Sequence, residues 1–199
     1  MSTPLVLASS SMSRRMMLEA AGVPFTVAMP SIDEDVLKSL LIDGGNDPYG
    51  IAEELAQAKA LSVSGHMRGA LVLGADQILV CDGRMLNKAI TGNDARDTLM
   101  ALSGREHELI SAAVIAREGV TVWRRTEIAR LRMRKLSQPF LDDYLAAEIP
   151  EILGSAGCYR IESRGAQLFA EISGDHFCIR GLPLIPLLAA LRDFGVLAA

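Results

Sequence analysis

Residues 5–22 read LVLASSSMSRRMMLEAAG, a stretch that changes from an apolar run to a serine cluster and then to a helical pattern. The continuous apolar run from Leu5 to Ala8 is typical of a buried strand. Arg14 to Ala21 predicts a short helix that ends at Gly22. Because a strand that is apolar on both faces must be covered on both, this stretch indicates an α/β fold.

A second continuous apolar run, residues 70–75, carries no charge and predicts another buried strand with Asp76 at its C-terminal end. Between the two strands, Asp47 and Pro48 form an N-cap and a first-turn proline. They predict a helix with an apolar stripe that ends near Gly65. The alternation of strand and helix favours strands that lie side by side in one sheet.

The later part of the chain predicts further elements. Residues 108–133 indicate two long antiparallel strands that turn at Glu118 and Gly119. The other expected elements are a helix capped by Asn93 that runs to about Leu102, a helix over 139–147, a strand over 167–172 and a helix over 183–194. This order predicts a mixed β-sheet flanked by helices, in one domain spanning residues 1–199. In open sheets of this kind, ligands bind at the C-terminal ends of buried strands.

The composition limits the class of protein. Half of the 199 residues are hydrophobic and 22% are charged, which suffices for one sizeable core. A net charge of −4 gives no bulk positive field, which argues against binding to nucleic acid or to an anionic membrane. No apolar stretch approaches the ~20 residues of a membrane span, and the three cysteines form no C-x-x-C pair. We therefore expect a cytoplasmic protein with reduced thiols, in which local charge holds any phosphate ligand.

The serine cluster and the arginines that follow it predict an anion site. Backbone N–H groups, hydroxyls such as that of Ser9 and the helix dipole attract anions at the start of a helix. Arg14 and Arg15 add guanidinium groups suited to phosphate oxygens. Adjacent residues point in different directions on a helix, so at most one of these arginines should reach the same oxygen as Ser9. A serine-capped helix with exposed arginines is the alternative for this segment alone.

The carboxylate of Asp76 follows six uncharged residues, where it loses solvation unless a cation, a metal or hydrogen bonds compensate. Lys59 lies about 40° around its helix from Leu55, beside the buried stripe, and is one candidate cation. Lys88, twelve residues past Asp76 in a segment with turn character, is the second. The alternatives are a structural aspartate at a strand end and lysines that extend along the surface into solvent.

Asp33, Glu34 and Asp35 form an acidic cluster. Hard divalent cations such as magnesium bind carboxylate oxygens and bridge to substrate phosphates. A solvated acidic loop is the alternative, and the cluster taken alone favours it. The three histidines have no metal-ligand spacing, so we predict no metal-binding role for them.

A row of arginines, Arg130, Arg132 and Arg134, alternates with Leu131 and Met133 in the two-residue period of a half-buried strand. This row is the feature of the chain most similar to a nucleic-acid-binding surface. Because the chain is acidic overall and no aromatic residues are interleaved, a solvated strand face is the favoured interpretation.

Taken together, these segments resemble the Maf family of nucleoside triphosphate pyrophosphatases. The resemblance implies an elongated mixed sheet with two lobes around a central cleft. It also implies a hydrolase that splits the bond between the α- and β-phosphates, giving a nucleoside monophosphate and pyrophosphate. The matching motifs, which occur over nearly the whole chain, are LVLASSSMSRRMMLEAAGVPF (5–25), IDED (32–35), ELAQAKA (54–60), LGADQILVCDG (73–83), NKAI (87–90), LSG (102–104), GCYRIESRGAQLF (157–169) and GLPLIPLLAAL (181–191).

The resemblance implies a role for each matching residue. Asp76 is the implied general base, and Lys59 and Lys88 are the implied catalytic cations. The family also implies a divalent metal, magnesium or manganese, for which Glu34 and Asp76 are the candidate ligands. Together these charges would oppose that of the triphosphate and of the transition state, while Asp76 orients and deprotonates water. The implied substrate-binding residues are Ser9, Arg14 and Arg15.

Three positions resemble the subgroup of the family that acts on 7-methyl-GTP. Arg14 follows Ser9 by five positions, one more than in the members that act on dTTP and UTP. Gln77 rather than threonine follows the central aspartate. Glu162 stands where a glutamine would read a pyrimidine.

The carboxylate of Glu162 suits a guanine base. An ionised carboxylate only accepts hydrogen bonds, and the guanine edge offers two neighbouring donors, N1–H and N2–H, whereas uracil and thymine offer one. The positive charge of a methylated guanine also favours a nearby carboxylate. A wrong base would leave the carboxylate partly unpaired, at a cost of roughly 1–3 kcal/mol.

Two places depart from the subgroup. Met12 and Ser13 stand where its members have a proline and an aromatic residue, and Ala89 stands where a proline usually follows the lysine. Loss of the aromatic residue removes a stacking surface for the base, so Ser13 is a third candidate specificity residue beside Gln77 and Glu162.

Three other functions stay open at this point. The chain could act on dTTP, UTP or another modified nucleotide, or it could be a nucleotide-binding regulator of cell division without turnover, as the resemblance also allows. The third is an RNA-binding protein that uses residues 130–134, although the composition argues against nucleic acid and membranes as partners. The sequence does not determine the oligomeric state, and a homodimer is compatible with it.

Overall fold

A computed structural model of the protein describes residues 3–198 and contains, within this range, a seven-stranded mixed sheet. The strand order is β2-β1-β3-β5-β6-β7, and β4 pairs with β3. Strand β1 is parallel to β2 and β3, whereas β3–β4 and β6–β7 are antiparallel pairs. The strands are β1 (Leu5–Ala8), β2 (Thr26–Val27), β3 (Leu71–Cys81), β4 (Arg84–Leu86), β5 (Glu106–Arg117), β6 (Val120–Met133) and β7 (Phe169–Ser173).

Seven α-helices accompany the sheet in the described range, which confirms the predicted mixed α/β class. A 3-10 turn over Arg164–Leu168 precedes β7. The helices are α1 (Met12–Ala20), α2 (Glu34–Asp43), α3 (Pro48–Ser64), α4 (Gly92–Leu102), α5 (Gln138–Glu148), α6 (His176–Ile179) and α7 (Leu184–Asp193). No helix among residues 3–198 is both long and apolar enough to cross a membrane.

Most predicted elements are present. Helix α3 begins after the Asp47 cap with Pro48 in its first turn, and Gly65 is its C-cap, as expected. The two-residue connection between β5 and β6, Glu118 and Gly119, joins neighbouring strands in an antiparallel hairpin.

Several boundaries differ from the prediction, and the structure shows a cause for three of them. Strand β3 does not end before Asp76 but continues to Cys81, so this aspartate lies inside the strand. Thr91, not Asn93, caps α4, because its hydroxyl and the Asp94 side chain form a reciprocal capping box. Helix α1 begins at Met12, two residues early, because the Ser11 side chain accepts a hydrogen bond from the backbone N–H of Arg14.

The chain divides into two compact units. The first contains residues up to Gln77, Ile110–Glu127 and the residues from His176 onward. In β1 of this unit, Leu5 and Leu7 pack on one face with residues of α1 and α7, and Val6 and Ala8 pack on the other with Val63 of α3. Helices therefore cover both faces of the strand, which explains its unbroken apolar run.

The second unit contains Ile78–Leu109 and Ile128–Asp175. Helix α5 contributes four buried residues, Leu141, Tyr144, Leu145 and Glu148, to its interior. Leu131 and Met133 of β6 are buried as well, while Arg130 and Arg132, which alternate with them, are exposed. This alternation confirms the half-buried strand predicted from the arginine row.

Candidate active site

The anion site predicted at the start of α1 brings Ser9 and Arg14 together. Both residues are buried, and Nη1 of Arg14 donates to Oγ of Ser9 over 3.2 Å. The Nε group of Arg14 donates to the carbonyl of Gly181 over 2.8 Å, which fixes the plane of the guanidinium. Burial lowers the pKa of Arg14 from its ordinary value, while the negative charges of Asp76 and Glu34 act in the opposite direction. An arginine remains charged in such a setting, so the site offers a buried cation beside a hydroxyl.

The neighbouring Arg15 lies elsewhere. Its side chain is half exposed and pairs with Glu19 one turn along the helix, at 2.8 Å. The structure therefore brings one of the two arginines to Ser9, as the geometry of a helix predicts. A role for Arg15 in substrate binding stays a prediction.

A buried ion pair joins α3 to β3. Nζ of Lys59 lies 2.7 Å from Oδ1 of Asp76, and both side chains are less than one-tenth exposed. The same ammonium group lies 2.6 Å from Oε2 of Glu34, whose side chain is half exposed. One cation is thus held by two carboxylates. The prediction that Lys59 lies beside the buried stripe of its helix is confirmed, since its exposure is 4%.

Gly74 explains how α3 comes close enough for this contact. A Cβ atom at this position would lie 2.2 Å from the carbonyl oxygen of Ala56 and 2.6 Å from the backbone nitrogen of Ala60. Only glycine leaves room for the helix backbone here. Because Lys59 belongs to the same turn of α3 and Asp76 follows Gly74 by two residues, the glycine sets the distance between the two charges.

Gln77 bonds to the protein backbone. Its Nε2 group lies 3.0–3.1 Å from the carbonyl oxygens of Cys178 and Ile179 and from Oγ of Ser111. Ser13, the third candidate specificity residue of the sequence, donates from Oγ to the carbonyl of Arg180 over 2.9 Å. Both side chains hold the segment 178–181, and their role in base preference stays a prediction.

The carbonyl groups of residues 178–181 all accept hydrogen bonds from side chains. The donors of Gln77, Ser13 and Arg14 are described above, and Ser111 adds a bond of 2.8 Å to Cys178. Sequence reasoning missed this segment and Ser111. Any residue can supply a backbone carbonyl, so these acceptors cannot be recognised in the sequence. The one signal was Ser111, which lies within the otherwise apolar run of β5 and is fully buried in the structure.

Two predicted site residues belong to the second unit. Lys88 is exposed and lies in an irregular segment between β4 and α4. Glu162 is also exposed and lies in a turn between α5 and the 3-10 turn that precedes β7. Their catalytic and base-reading roles stay predictions.

The carboxylates of Glu34 and Asp76 fit a hard divalent cation in their chemistry. Both present oxygen ligands to one point, where the ammonium of Lys59 already holds a positive charge. Each contact uses one oxygen of its carboxylate. Asp33 caps α2, so the acidic cluster is a helix start and not a loop. Within residues 3–198, no group of three or more histidine, cysteine, aspartate or glutamate residues has the arrangement of a metal site.

The arginine row on β6 pairs with nearby groups. Nε of Arg130 lies 2.8 Å from Glu108, Arg132 pairs with Glu171, and Arg134 donates to the carbonyl of Gln167. Carboxylates thus neutralise two of the three arginines, and a carbonyl group accepts from the third, which supports the solvated strand face over a nucleic-acid surface.

A buried arginine beside a serine at a helix start, and a buried lysine of α3 paired with an aspartate of β3, define the site of this α/β protein. The chain belongs to the Maf family, since residues 4–194 match the model of the family described as Maf-like protein. It is 46% identical to a nucleoside triphosphate pyrophosphatase of Caulobacter vibrioides over 98% of both chains. It is 44% identical to a 7-methyl-GTP pyrophosphatase of Mesorhizobium japonicum over 99% of both chains. A solved HAM1 protein of Coxiella burnetii aligns with 68% of this chain and 75% of its own, at 14% identity and a TM-score of 0.42.

Proposed function

We propose that this protein is a nucleoside triphosphate pyrophosphatase that hydrolyses 7-methyl-GTP to 7-methyl-GMP and pyrophosphate. The single observation that carries the catalytic proposal is the buried pair of Lys59 and Asp76, 2.7 Å apart. A carboxylate beside a cation can both orient a water molecule and take its proton. The names of the Caulobacter and Mesorhizobium relatives support the same reaction.

The first unit supplies the groups for the chemical step. Arg14 and Ser9 bind phosphate oxygens, and Lys59 offsets the charge that develops on the phosphorus oxygens. Asp76 orients a water molecule, whose oxygen forms a bond to the α-phosphorus while the bond to the bridging oxygen breaks. The proton of the water passes to Asp76, and pyrophosphate leaves with the electron pair of the broken bond. Since Oδ1 of Asp76 contacts Lys59, we assign Oδ2 to the water.

A divalent cation, magnesium or manganese, completes the proposal. Glu34 and Asp76 would hold it, and when bound it would neutralise part of the triphosphate charge. The ammonium of Lys59, which contacts both carboxylates, keeps them near one another in the absence of nucleotide. We propose Lys88 and Arg15 as further cations that meet the phosphates.

The preference for 7-methyl-GTP rests on Glu162. Its exposed carboxylate can accept from N1–H and N2–H of guanine, and a methylated guanine adds a positive charge to the attraction. Pyrimidine triphosphates such as dTTP and UTP are the alternative substrates, because Ser13 replaces the aromatic residue of the subgroup.

The test is pyrophosphate release by the purified protein from a panel of triphosphates, with magnesium or manganese and with a chelator. We expect release from 7-methyl-GTP, and a loss of about 10³-fold or more in Asp76→Asn, which removes the general base. Asp97→Asn, an exposed carboxylate on α4, is the matched control and should keep full activity. Release of orthophosphate alone, or of nothing from any triphosphate, would refute the assignment.

A nucleotide-binding regulator of cell division without turnover is the second candidate. The pairing of Asp76 with Lys59 argues against it, since a binding protein needs no general base. A cellular effect that persists undiminished in Asp76→Asn would favour the regulator.

We also propose a cytoplasmic location, which the buried thiols of Cys81, Cys158 and Cys178, none of them in a disulfide, support. A homodimer is the assembly that we propose to test first, by light scattering of the purified protein.

A further inference from the structure

Glu162 lies in a tight turn of the second unit. The backbone N–H of Ser163 donates to the carbonyl of Arg160 over 3.1 Å, so Ile161 and Glu162 occupy the centre of a four-residue turn. Oγ of Ser163 donates to the same carbonyl over 3.1 Å. This geometry presents the Glu162 side chain at the exposed tip of the turn.

A second carboxylate, that of Glu148 at the end of α5, holds both ends of this turn. Its Oε2 atom accepts from Nη2 of Arg160 over 3.1 Å and from Oγ of Ser163 over 3.0 Å. Glu148 is buried, with an exposure of 4%. A buried charge-assisted bond has a defined geometry and is stronger than one in solvent, so the contact fixes the first and last residues of the turn.

Neighbouring residues restrict the conformation of this turn. A Cβ atom on Gly165 would lie 2.3 Å from the carbonyl oxygen of Arg160, so the chain folds back closely on itself after the turn. The hydroxyl of Tyr144, on the same helix as Glu148, donates to the carbonyl of Cys158 over 3.3 Å. Nε of Arg160 is buried without an acceptor among the described residues, so its guanidinium is oriented through Nη2 and Glu148.

We propose that Glu148 is a positioning residue for base recognition, which acts by holding the turn that presents Glu162 to the guanine edge. The inference rests on the proposed function, in which Glu162 reads the base. Loss of the Glu148 carboxylate frees the Arg160 and Ser163 ends of the turn, and the backbone that carries Glu162 is then held less firmly. Guanine recognition should suffer, whereas the chemical step in the first unit should not.

The alternative is that Glu148 only neutralises Arg160 and stabilises the fold. A purely structural role predicts equal losses for all nucleotides, or a loss of folded protein without a change in preference. A positioning role predicts a change in the ratio of kcat/KM for 7-methyl-GTP to that for UTP. It also predicts that this change depends on the presence of Glu162.

A double-mutant cycle separates the two roles. The ratio is measured for the wild type, Glu148→Gln, Glu162→Gln and the double variant, with Glu151→Gln, an exposed carboxylate three residues past Glu148, as the matched control. Glutamine keeps the size of the side chain but removes its charge, so a bond that its amide oxygen accepts from Arg160 or Ser163 loses the assistance of the carboxylate charge. Ser163→Ala, which removes one of the two contacts and leaves the charge of Glu148, is the milder second variant. Thermal unfolding of each variant identifies the temperature at which all are folded.

We expect Glu148→Gln to lower the ratio by about 10-fold, Ser163→Ala to lower it less, and Glu151→Gln to leave it unchanged. In the Glu162→Gln background, the Glu148 substitution should change the ratio by less than about 2-fold. Equal losses for both nucleotides, or the same change in either background, would overturn the inference while leaving the pyrophosphatase assignment intact. A wild type that releases no pyrophosphate would refute the assignment itself, and the inference with it.

Discussion

Replacing Gly74 with alanine should push helix α3 away from strand β3 and separate Lys59 from Asp76. The added Cβ would lie 2.2 Å from the carbonyl oxygen of Ala56. An ordinary contact between a carbon and another heavy atom is about 3.5 Å, so the helix must move by about 1 Å. The obstructing atoms belong to the backbone, and no side-chain rotation can relieve the contact.

The displacement has a cost in stability and a cost in rate. Overpacking of a core costs about 1–3 kcal/mol, and a clash between backbones belongs at the upper end of this range. For a chain of this length, about 3 kcal/mol corresponds to a fall in Tm of roughly 6–12 °C. A shift of about 1 Å between catalytic groups can lower the rate by about 100-fold. The Lys59–Asp76 distance of 2.7 Å would increase beyond hydrogen-bonding range.

Urea unfolding and pyrophosphate release measure the two costs, and Gly65→Ala is the control. Gly65 is the C-cap of the same helix, with helical φ of −62° and no atom within 4 Å of an added Cβ. Alanine there should be neutral or stabilising by up to about 1 kcal/mol. If Gly74→Ala is as stable and as active as Gly65→Ala, the close approach of α3 does not set the geometry of the ion pair.

Three further predictions concern charge. Arg14→Lys should give a folded protein with a kcat/KM about 100-fold lower, because an ammonium group cannot make both bonds of the guanidinium, to Ser9 and to Gly181. A kcat/KM within about 2-fold of the wild type would contradict this. Burial lowers the pKa of His107 from its ordinary value of 6.5 to about 4. As the pH falls, His107 therefore takes up a proton in the unfolded chain before it does so in the folded protein. The free energy of unfolding should accordingly rise with pH between about 4 and 6.5, by up to about 3 kcal/mol. His107→Phe should remove this contribution in urea unfolding across the same window, and an unchanged pH slope would show that His107 is not its source. Arg130→Ser, at an exposed ion pair, should change stability by less than about 1 kcal/mol and leave activity unchanged.

The parts of the fold that follow from local chemistry could be predicted from the sequence. The ends of α3 follow from Asp47, Pro48 and Gly65, because a cap acts on the backbone next to it. The burial of Lys59 follows from its angle on the same helix. The two-residue turn of the β5–β6 hairpin follows in the same way, from the polar break in an otherwise regular alternation.

Features that depend on distant partners could not be predicted. A strand should end where a carboxylate would lose its solvation, yet β3 continues past Asp76 because Lys59, from another element, compensates the charge. The hydrogen bonds of Gln77 could not be predicted for a similar reason, because they go to the backbone carbonyls of Cys178 and Ile179, about a hundred residues further along the chain. The capping box of Thr91 was visible in the sequence, but Asn93, a favourable cap in isolation, competed with it.

The bond from Arg14 to Gly181 joins residues that are 167 positions apart. A ribosome releases the N-terminal end of a protein first, so the arginine leaves the exit tunnel long before its acceptor does. Until the C-terminal segment emerges, the nascent chain cannot orient this guanidinium, and its affinity for nucleotides should remain low. A polypeptide released prematurely before Gly181 would also lack α7, which packs on β1, and should not capture nucleotide in the cell.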